Sequence, residues 1–189
     1  MAPPGRRRAT YDDVLAAPRN KVAEIVDGDL RLAPRPALPH AAAATALSEE
    51  LGPPFKRGRG GPGGWLILSE PELHLAEDVL VPDLAGWRRE RVPAFGNDPY
   101  TEIAPDWVCE VLSPSTAPLD RAQKLPIYAR ENVHHVWLLD PLVRTLEVLA
   151  LRSDGWYLVG VHRGDDKVRA VPFDAVELDL AILWADVQL

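Results

Sequence analysis

Cysteine is almost absent from this sequence of 189 residues, in which Cys109 is the single example. One cysteine excludes an internal disulfide and a zinc site built from cysteine ligands. Because Cys109 lies within an apolar stretch, it is expected to be a small buried hydrophobe, and a nucleophilic role is the weaker alternative.

Long hydrophobic runs are also absent. A membrane-spanning helix needs roughly 18 or more consecutive apolar residues, and no such run occurs, so no membrane partner is expected. The segment Met1 to Arg8 has basic residues but no apolar stretch behind them, unlike a secretory signal. We therefore expect a cytoplasmic protein.

Positive charge is in deficit, since the formal net charge is −7. Tight nonspecific binding to nucleic acid depends on neutralising phosphates, so this deficit requires that any such binding uses local basic segments. No helix-turn-helix or zinc-finger pattern announces the reading of bases. The histidines lack the spacing of zinc ligands, and Ser113 lacks the Gly-x-Ser-x-Gly turn of a serine hydrolase.

The composition that remains is that of an ordinary globular protein, with 47% hydrophobic and 26% charged residues. Residues 1–9 are dominated by proline, glycine and arginine and are predicted to be a disordered tail. Residues 10–189 show neither a linker nor an internal repeat, so they are predicted to form one domain.

Hydrophobic periodicity and turn residues predict a mixed order of helices and strands. Thr10 and Asp13 have capping-box spacing, and Asp27-Gly28 is a strong hairpin turn signal. The predicted elements are a short helix before Pro18, a hairpin over 22–33, a helix over 40–51, strands over 65–69, 72–76 and 79–87, a hairpin over 144–161, a short strand over 168–173 and a short terminal helix.

The most informative stretch is 105–141, which predicts an apolar strand, a Ser/Pro loop, a helix and a second apolar strand. This order is typical of a crossover between two parallel strands. The first strand carries Glu110 among apolar residues, so that the carboxylate needs a partner. A metal ion and a cation such as Lys124 are both candidates, and Pro126 is expected to bend the helix that carries Lys124.

Other polar residues have an ordinary structural interpretation, and those of the basic loop have a second one. Glu24 has apolar neighbours on its face of the strand, and it is expected to be an edge-strand residue that reaches water. The pair Asp120 and Lys124 has the spacing of an ordinary surface ion pair on a helix. The Gly/Pro-rich loop over 52–64 is predicted to be mobile, and its Lys56, Arg57 and Arg59 either face solvent or contact phosphate.

Several motifs together resemble the Uma2 family, which is placed in the PD-(D/E)XK nuclease superfamily. They are Glu24 to Asp29, Val81-Pro82-Asp83, Glu110-Val-Leu-Ser-Pro-Ser-Thr116, Asp120 to Tyr128 and Val136 to Pro141. The resemblance covers most of the chain from Tyr11 onward. It implies an α/β fold of restriction-endonuclease-like type, with a mixed central β-sheet flanked by a few helices.

The resemblance also implies roles for individual residues. Asp83 and Glu110 would hold Mg²⁺ or Mn²⁺, with Glu24 as an accessory catalytic acid. The superfamily lysine two positions after the acid is missing, because residue 112 is leucine. Lys124 would replace it and orient water or stabilise charge, while the accessory residues would be His40, Asp120 and Tyr128.

The expected function is therefore metal-dependent cleavage of phosphodiester bonds in nucleic acid, with DNA as the expected substrate. Two alternatives remain, namely a catalytically silent domain that binds DNA or a protein partner, and a metal-dependent phosphoesterase for small substrates. Free sheet edges and many aromatic residues are often found in homodimers, which is the expected assembly.

Overall fold

The computed structural model describes residues 7–114 and 116–188. Its helices are α1 (Tyr11–Leu15), α2 (Leu38–Leu51), α3 (Ala117–Leu119) and α4 (Leu125–Arg130), with π-helical turns at Gly52–Lys56 and Asp120–Lys124 and a 3₁₀ turn at Leu180–Trp184. Its strands are β1 (Lys21–Val26), β2 (Asp29–Pro34), β3 (Trp65–Ser69), β4 (Glu72–Leu75), β5 (Asp78–Leu80), β6 (Leu84–Arg88), β7 (Tyr100–Thr101), β8 (Trp107–Val111), β9 (His135–Asp140), β10 (Thr145–Arg152), β11 (Gly155–Arg163), β12 (Lys167–Val168) and β13 (Leu178–Asp179).

Two sheets form the centre of the fold. The larger has six strands in the order β11-β10-β9-β8-β6-β3, and the smaller has five in the order β2-β1-β5-β4-β7. In the larger sheet β8 and β9 run parallel while the other neighbours are antiparallel. The predicted α/β class with a mixed central sheet is therefore confirmed.

The core lies on both faces of the six-stranded sheet. On one face, α2 and the C-terminal segment cover Trp107, Cys109 and Trp137. On the other, α4 and the small sheet pack against Val108 and Leu138. Because β8 is covered on both sides, every residue from Trp107 to Val111 is buried, and an acid in this strand has lost its water.

The local sequence signals locate most elements. Thr10 and Asp13 form the capping box of α1, and Asp27 and Gly28 both adopt positive φ in the turn between β1 and β2. The helix predicted to begin at His40 begins at Leu38, because Pro39 is tolerated in the first turn. Of the tail predicted to be disordered, residues 1–6 lie outside the described residues, and Ala9 donates its N–H to Gly28 O at 2.8 Å.

The strand predicted over 79–87 is wrong. The chain forms β5 and β6 instead, and these belong to different sheets. Pro82 explains the break, since it has no N–H to donate to a sheet ladder. Asp83 consequently lies where the chain passes from the small sheet to the large one.

The first part of the loop predicted as mobile over 52–64 is a regular helical turn. The first five residues continue α2 as a π-helical turn in which Phe55 is buried. Lys56 Nζ donates to Ile67 O at 2.8 Å, which ties this turn to β3. Among the described residues, no helix is long and apolar enough to cross a bilayer.

Candidate active site

A cavity of about 280 Å³ opens where β1, β8 and the Asp120–Lys124 turn meet. Its walls carry most of the polar residues that the sequence singled out, namely Glu24, His40, Asp83, Glu110, Asp120 and Lys124. A larger cavity of about 620 Å³ lies beside Phe95 and Tyr100. We place the site in the smaller one, because the acids of the larger cavity are half-buried or exposed.

Lys124 occupies the centre of the charged cluster. Its Nζ lies 2.9 Å from Glu24 Oε1, 3.2 Å from Glu110 Oε1 and 3.6 Å from Asp120 Oδ1. All four side chains are buried. The interpretation of Asp120 and Lys124 as a surface ion pair is therefore wrong, as is that of Glu24 as a residue reaching water.

The helix geometry that aims Lys124 depends on a π-helical turn. Leu125 donates its N–H to the carbonyl of Asp120, five residues earlier, and α4 starts with Pro126 in its first turn. Pro126 has no N–H, so a regular helix would leave a carbonyl unpaired at this point. The π-helical turn accommodates the missing N–H of Pro126. Turns of this kind are frequent at functional sites.

The Glu110 carboxylate accepts hydrogen bonds from an ammonium group and from a phenol. Lys124 Nζ bonds both of its carboxylate oxygens, and the Tyr128 hydroxyl donates to Oε1. Burial raises the pKa of Glu110 well above its usual value, Lys124 opposes this, and the neighbouring acids add to it. Burial also raises the pKa of Tyr128, as does the Glu110 carboxylate, so the phenol stays protonated and keeps donating.

The ammonium of Lys124 remains charged. Burial alone would lower its pKa, but Glu110, Glu24 and Asp120 together raise it well above the usual value. Burial likewise raises the pKa of Asp120, although Lys124 opposes the shift. One ammonium group thus faces three buried carboxyl groups, and a metal ion bound at Glu110 would compete with a proton for the carboxylate oxygens.

Asp83 lies across the cavity, next to Glu110. Leu84 pairs with Cys109 between β6 and β8, so the ladder brings the preceding Asp83 beside the following Glu110. Asp83 Oδ2 accepts the backbone N–H of Val111 at 2.7 Å. Burial raises the pKa of Asp83 to about 7, in spite of Val111 and Lys124, which lower it.

His40, in the first turn of α2, completes this side of the cavity. Its Nε2 lies 3.0 Å from Asp83 Oδ1, yet the atom is buried and makes no hydrogen bond to the residues that the structure describes. The two atoms lie within ion-pair distance, but they do not form a hydrogen bond. Burial lowers the pKa of His40, so a neutral imidazole faces Asp83.

The donor set fits a small divalent cation only in part. Within the described ranges, no three of the His, Cys, Asp and Glu side chains are grouped as metal ligands commonly are. Mg²⁺, however, is usually held by one or two carboxylates and several waters. Asp83 and Glu110 supply two carboxylates at one cavity, and the orphaned Nε2 of His40 adds an unused polar atom.

The structure does not bring the basic loop to this cavity. His40 lies in the first turn of α2, while Arg57 and Arg59 follow the other end of that helix, roughly 20 Å away at a rise of about 1.5 Å per residue. Lys56 is occupied by Ile67 O. A phosphate contact made by Arg57 or Arg59 would therefore lie away from the cavity.

Glu70 was missed by the sequence analysis. It lines the cavity with Asp83 and His40 and adds to the raised pKa of Asp83. Glu70 has a positive φ of 47° between β3 and β4. The signal that could have found it is its position directly before Pro71, in a short loop joining two strands.

Comparison with known proteins agrees with the fold. A family model named Uma2 and described as "Putative restriction endonuclease" matches residues 9–182. The chain is similar to a crystal structure from Anabaena variabilis described as "a putative nuclease belonging to DUF820", with 22% identity and a TM-score of 0.74 over 94% of this chain and 98% of the other. No curated protein matches the chain.

Proposed function

Because the chain belongs to the Uma2 family, we propose that it is a nuclease that hydrolyses phosphodiester bonds with the help of a divalent metal ion. The observation that carries this proposal is the single cavity in which Lys124 and three acids, Glu24, Glu110 and Asp120, are buried together beside Asp83. Burying so many charges without a function would only cost stability.

Asp83 and Glu110 are the residues that would hold the metal, either Mg²⁺ or Mn²⁺, with His40 beside them. A bound divalent ion lowers the pKa of its water and offsets charge on the phosphoryl group. Restriction-endonuclease-like enzymes generally use such ions, and the carboxylate donor set favours a hard cation that prefers oxygen ligands.

Lys124 is proposed to meet the attacking water or the phosphate. Its ammonium stays charged at neutral pH and is held by acids from β1, β8 and its own turn. A preorganised cation of this kind stabilises developing negative charge without having to move. Tyr128 does not line the cavity, so its proposed role is to position Glu110 through the hydroxyl bond.

The proposed substrate is nucleic acid, DNA in the first instance, and the proposed assembly is a homodimer located in the cytoplasm. Strand β11 supports the assembly, because it is the terminal strand of the large sheet. Its apolar side chains Tyr157, Leu158, Val159 and Val161 are all about half exposed. Two copies can join such edges in antiparallel fashion about a two-fold axis.

The decisive experiment is cleavage of supercoiled plasmid and of single-stranded DNA with Mg²⁺ or Mn²⁺. The variants Glu110→Gln and Lys124→Met are compared with Lys167→Met, which removes a lysine whose side chain is 63% exposed. The proposal expects metal-dependent cutting by the wild type and by Lys167→Met only. Equal cutting by all four proteins would refute the assigned site.

Hydrolysis of bis(p-nitrophenyl) phosphate separates the alternatives. Turnover of this small ester without any cutting of DNA would favour a phosphoesterase for small substrates. Absence of both activities, together with no heat of metal binding in calorimetry, would leave a silent binding domain.

A further inference from the structure

Four arginines gather at the end of the large sheet that lies away from the cavity. Arg57 and Arg59 belong to the loop after α2, whereas Arg88 ends β6 and Arg89 follows it. We call these four residues the basic edge. The acidic net charge of the chain gives no hint of it, because the arginines come from two segments separated in sequence.

The fold joins the two segments directly. Trp65 pairs with Arg88 in the ladder between β3 and β6, and Arg89 N donates to Gly64 O at 2.9 Å. The guanidinium of Arg88 lies 4.6 Å from the ring centre of Trp65, which fixes its plane. The loop and the end of β6 therefore form one surface.

The charges of this surface are available to a partner. All four arginines are exposed, and among residues 7–114 and 116–188 none of them forms an ion pair. Other arginines of the chain do so: Arg91 pairs with Asp106 and Arg130 pairs with Asp78. Glu90 directly follows Arg89, and its side chain is exposed as well.

The basic edge and the proposed active site lie at opposite ends of β6. Asp83 directly precedes this strand and Arg88 ends it, which separates them by roughly 15 Å at about 3.4 Å per residue. Consecutive phosphates of one DNA strand are about 3.4 Å apart along the axis. Along a duplex whose axis follows β6, roughly five base pairs span the two places.

We propose that the basic edge binds backbone phosphates of the same nucleic acid whose phosphodiester bond enters the cavity. This inference rests on the proposed function for its choice of polyanion. Guanidinium groups match phosphate oxygens in pairs, and an edge made of arginines without lysine favours that geometry. Phosphate contacts fix the position of a protein along nucleic acid without reading its sequence.

The inference also explains how an acidic chain could hold a polyanion. Acids are the most frequent polar side chains that line the cavity, and they attract phosphate weakly, so affinity must come from another place. The basic edge supplies it at a distance from those acids, and the contact it makes is lost when the substrate is too short to reach it.

The test compares the variant Arg57→Ala/Arg59→Ala/Arg89→Ala with a control that removes three exposed cations elsewhere, Arg19→Ala/Arg163→Ala/Lys167→Ala. Arg88 is kept because it packs on Trp65. Binding of a labelled duplex two helical turns long is measured by fluorescence anisotropy in EDTA over a range of salt concentrations. Hydrolysis of bis(p-nitrophenyl) phosphate is measured with Mn²⁺.

The proposal expects the basic-edge variant to bind the duplex at least tenfold more weakly than the control. The slope of log K against log salt should fall by about 3, since each phosphate contact contributes roughly 0.9. Hydrolysis of the small ester should be unchanged, because this ester cannot reach the edge. Equal duplex binding by both variants would overturn the proposal.

Two further outcomes separate this inference from the proposed function. Duplex binding that depends on the basic edge, in a wild type that hydrolyses neither DNA nor the ester, would support the edge and contradict the nuclease. Binding of the wild type to phosphatidylserine vesicles but not to the duplex would overturn the inference in favour of a membrane surface.

Discussion

Lys124 is the residue on which the cluster of buried acids depends. Its ammonium group is within 3.6 Å of carboxylates from three parts of the chain, Glu24, Glu110 and Asp120. Removing one partner of a buried ion pair destabilises the fold far more than removing an exposed pair. The charges that remain are buried and cannot be hydrated.

We expect Lys124→Met to lower the free energy of unfolding by about 3 kcal/mol at pH 8. The loss should be smaller at pH 5, where the freed carboxylates can take up protons. Urea denaturation at the two pH values measures both effects, and nuclease activity should fall by about a hundredfold. A loss that is the same at both pH values would contradict this account of the cluster.

The raised pKa of Asp83 predicts a second effect of pH on the stability of the fold. Its folded pKa of about 7 lies above its usual 3.8, so between these values the folded chain binds more protons than the unfolded chain. Stability must then fall as pH rises from about 4 to about 7. Asp83→Asn cannot titrate, and in EDTA it should lose less stability than the wild type between pH 5 and pH 8.

Urea denaturation of both proteins across that range checks the prediction. The slope left in Asp83→Asn should reflect Glu110 and Asp120, whose pKa values burial also raises. Parallel curves for the wild type and the variant would show that Asp83 titrates normally in the folded chain.

At the scale of elements, Asp78 ties together the pieces that carry the site. Its Oδ1 accepts the N–H of Asp27 at 2.7 Å, and its Oδ2 lies 2.6 Å from Arg130 Nη2. The first contact holds the turn of the hairpin that carries Glu24, and the second holds the end of α4, which carries Tyr128. The Asp78 carboxylate is 3% exposed, whereas the side chain of Arg130 is 49% exposed, so only the acid of this ion pair is shielded from water.

We expect Asp78→Ala to destabilise the fold by about 2 kcal/mol, because two hydrogen bonds to a buried carboxylate are lost while Arg130 can still be hydrated. The matched control is Lys167→Ala, which breaks the exposed pair with Asp179 and should cost less than about 0.5 kcal/mol. Thermal or urea unfolding of the two variants measures the difference. Equal stabilities would mean that Asp78 does not link the hairpin to α4.

The elements that could be predicted from sequence are those with strong local signals. Asp27-Gly28 specified a hairpin, and the run from Trp107 to Val111 specified a strand covered on both faces. The break at Pro82 was missed because Val79 to Trp87 is apolar on both sides of it. Only the surrounding sheets show that its two halves pair with different partners.

The cluster of buried acids was harder to predict from the sequence than the helices and strands were. Spacing alone could not separate the buried pair of Asp120 and Lys124 from an exposed one, since both occupy one helix face. The resemblance to a family supplied the grouping of Glu24, Asp83, Glu110 and Lys124. The resemblance did not predict that Glu70 lines the cavity. It also did not predict that Arg57 lies away from the cavity, which follows from the position of its loop at the far end of α2.

At the scale of the whole molecule, the exposed edge of β11 predicts self-association. Val161 is 56% exposed on this terminal strand. Val161→Lys should convert a dimer into a monomer, because a lysine on an edge strand disfavours pairing with a second edge. Light scattering after size-exclusion chromatography measures the mass, and the control is Val143→Lys, at a valine outside β11 that is 66% exposed.

A wild type that is monomeric at all concentrations would contradict the homodimer. If the wild type and both variants remain dimeric, the dimer exists but uses another surface. Either result leaves the cavity intact, since neither Val143 nor Val161 lines it.

The contacts of Lys124 also have a consequence for how the chain matures. Glu24 and Lys124 touch although they lie one hundred positions apart, and Glu110 reaches them from a strand that needs β9 beside it. A nascent chain that ends before Lys124 therefore lacks the cation that holds these acids together. The charged cluster can therefore form only after about two thirds of the chain has been synthesised.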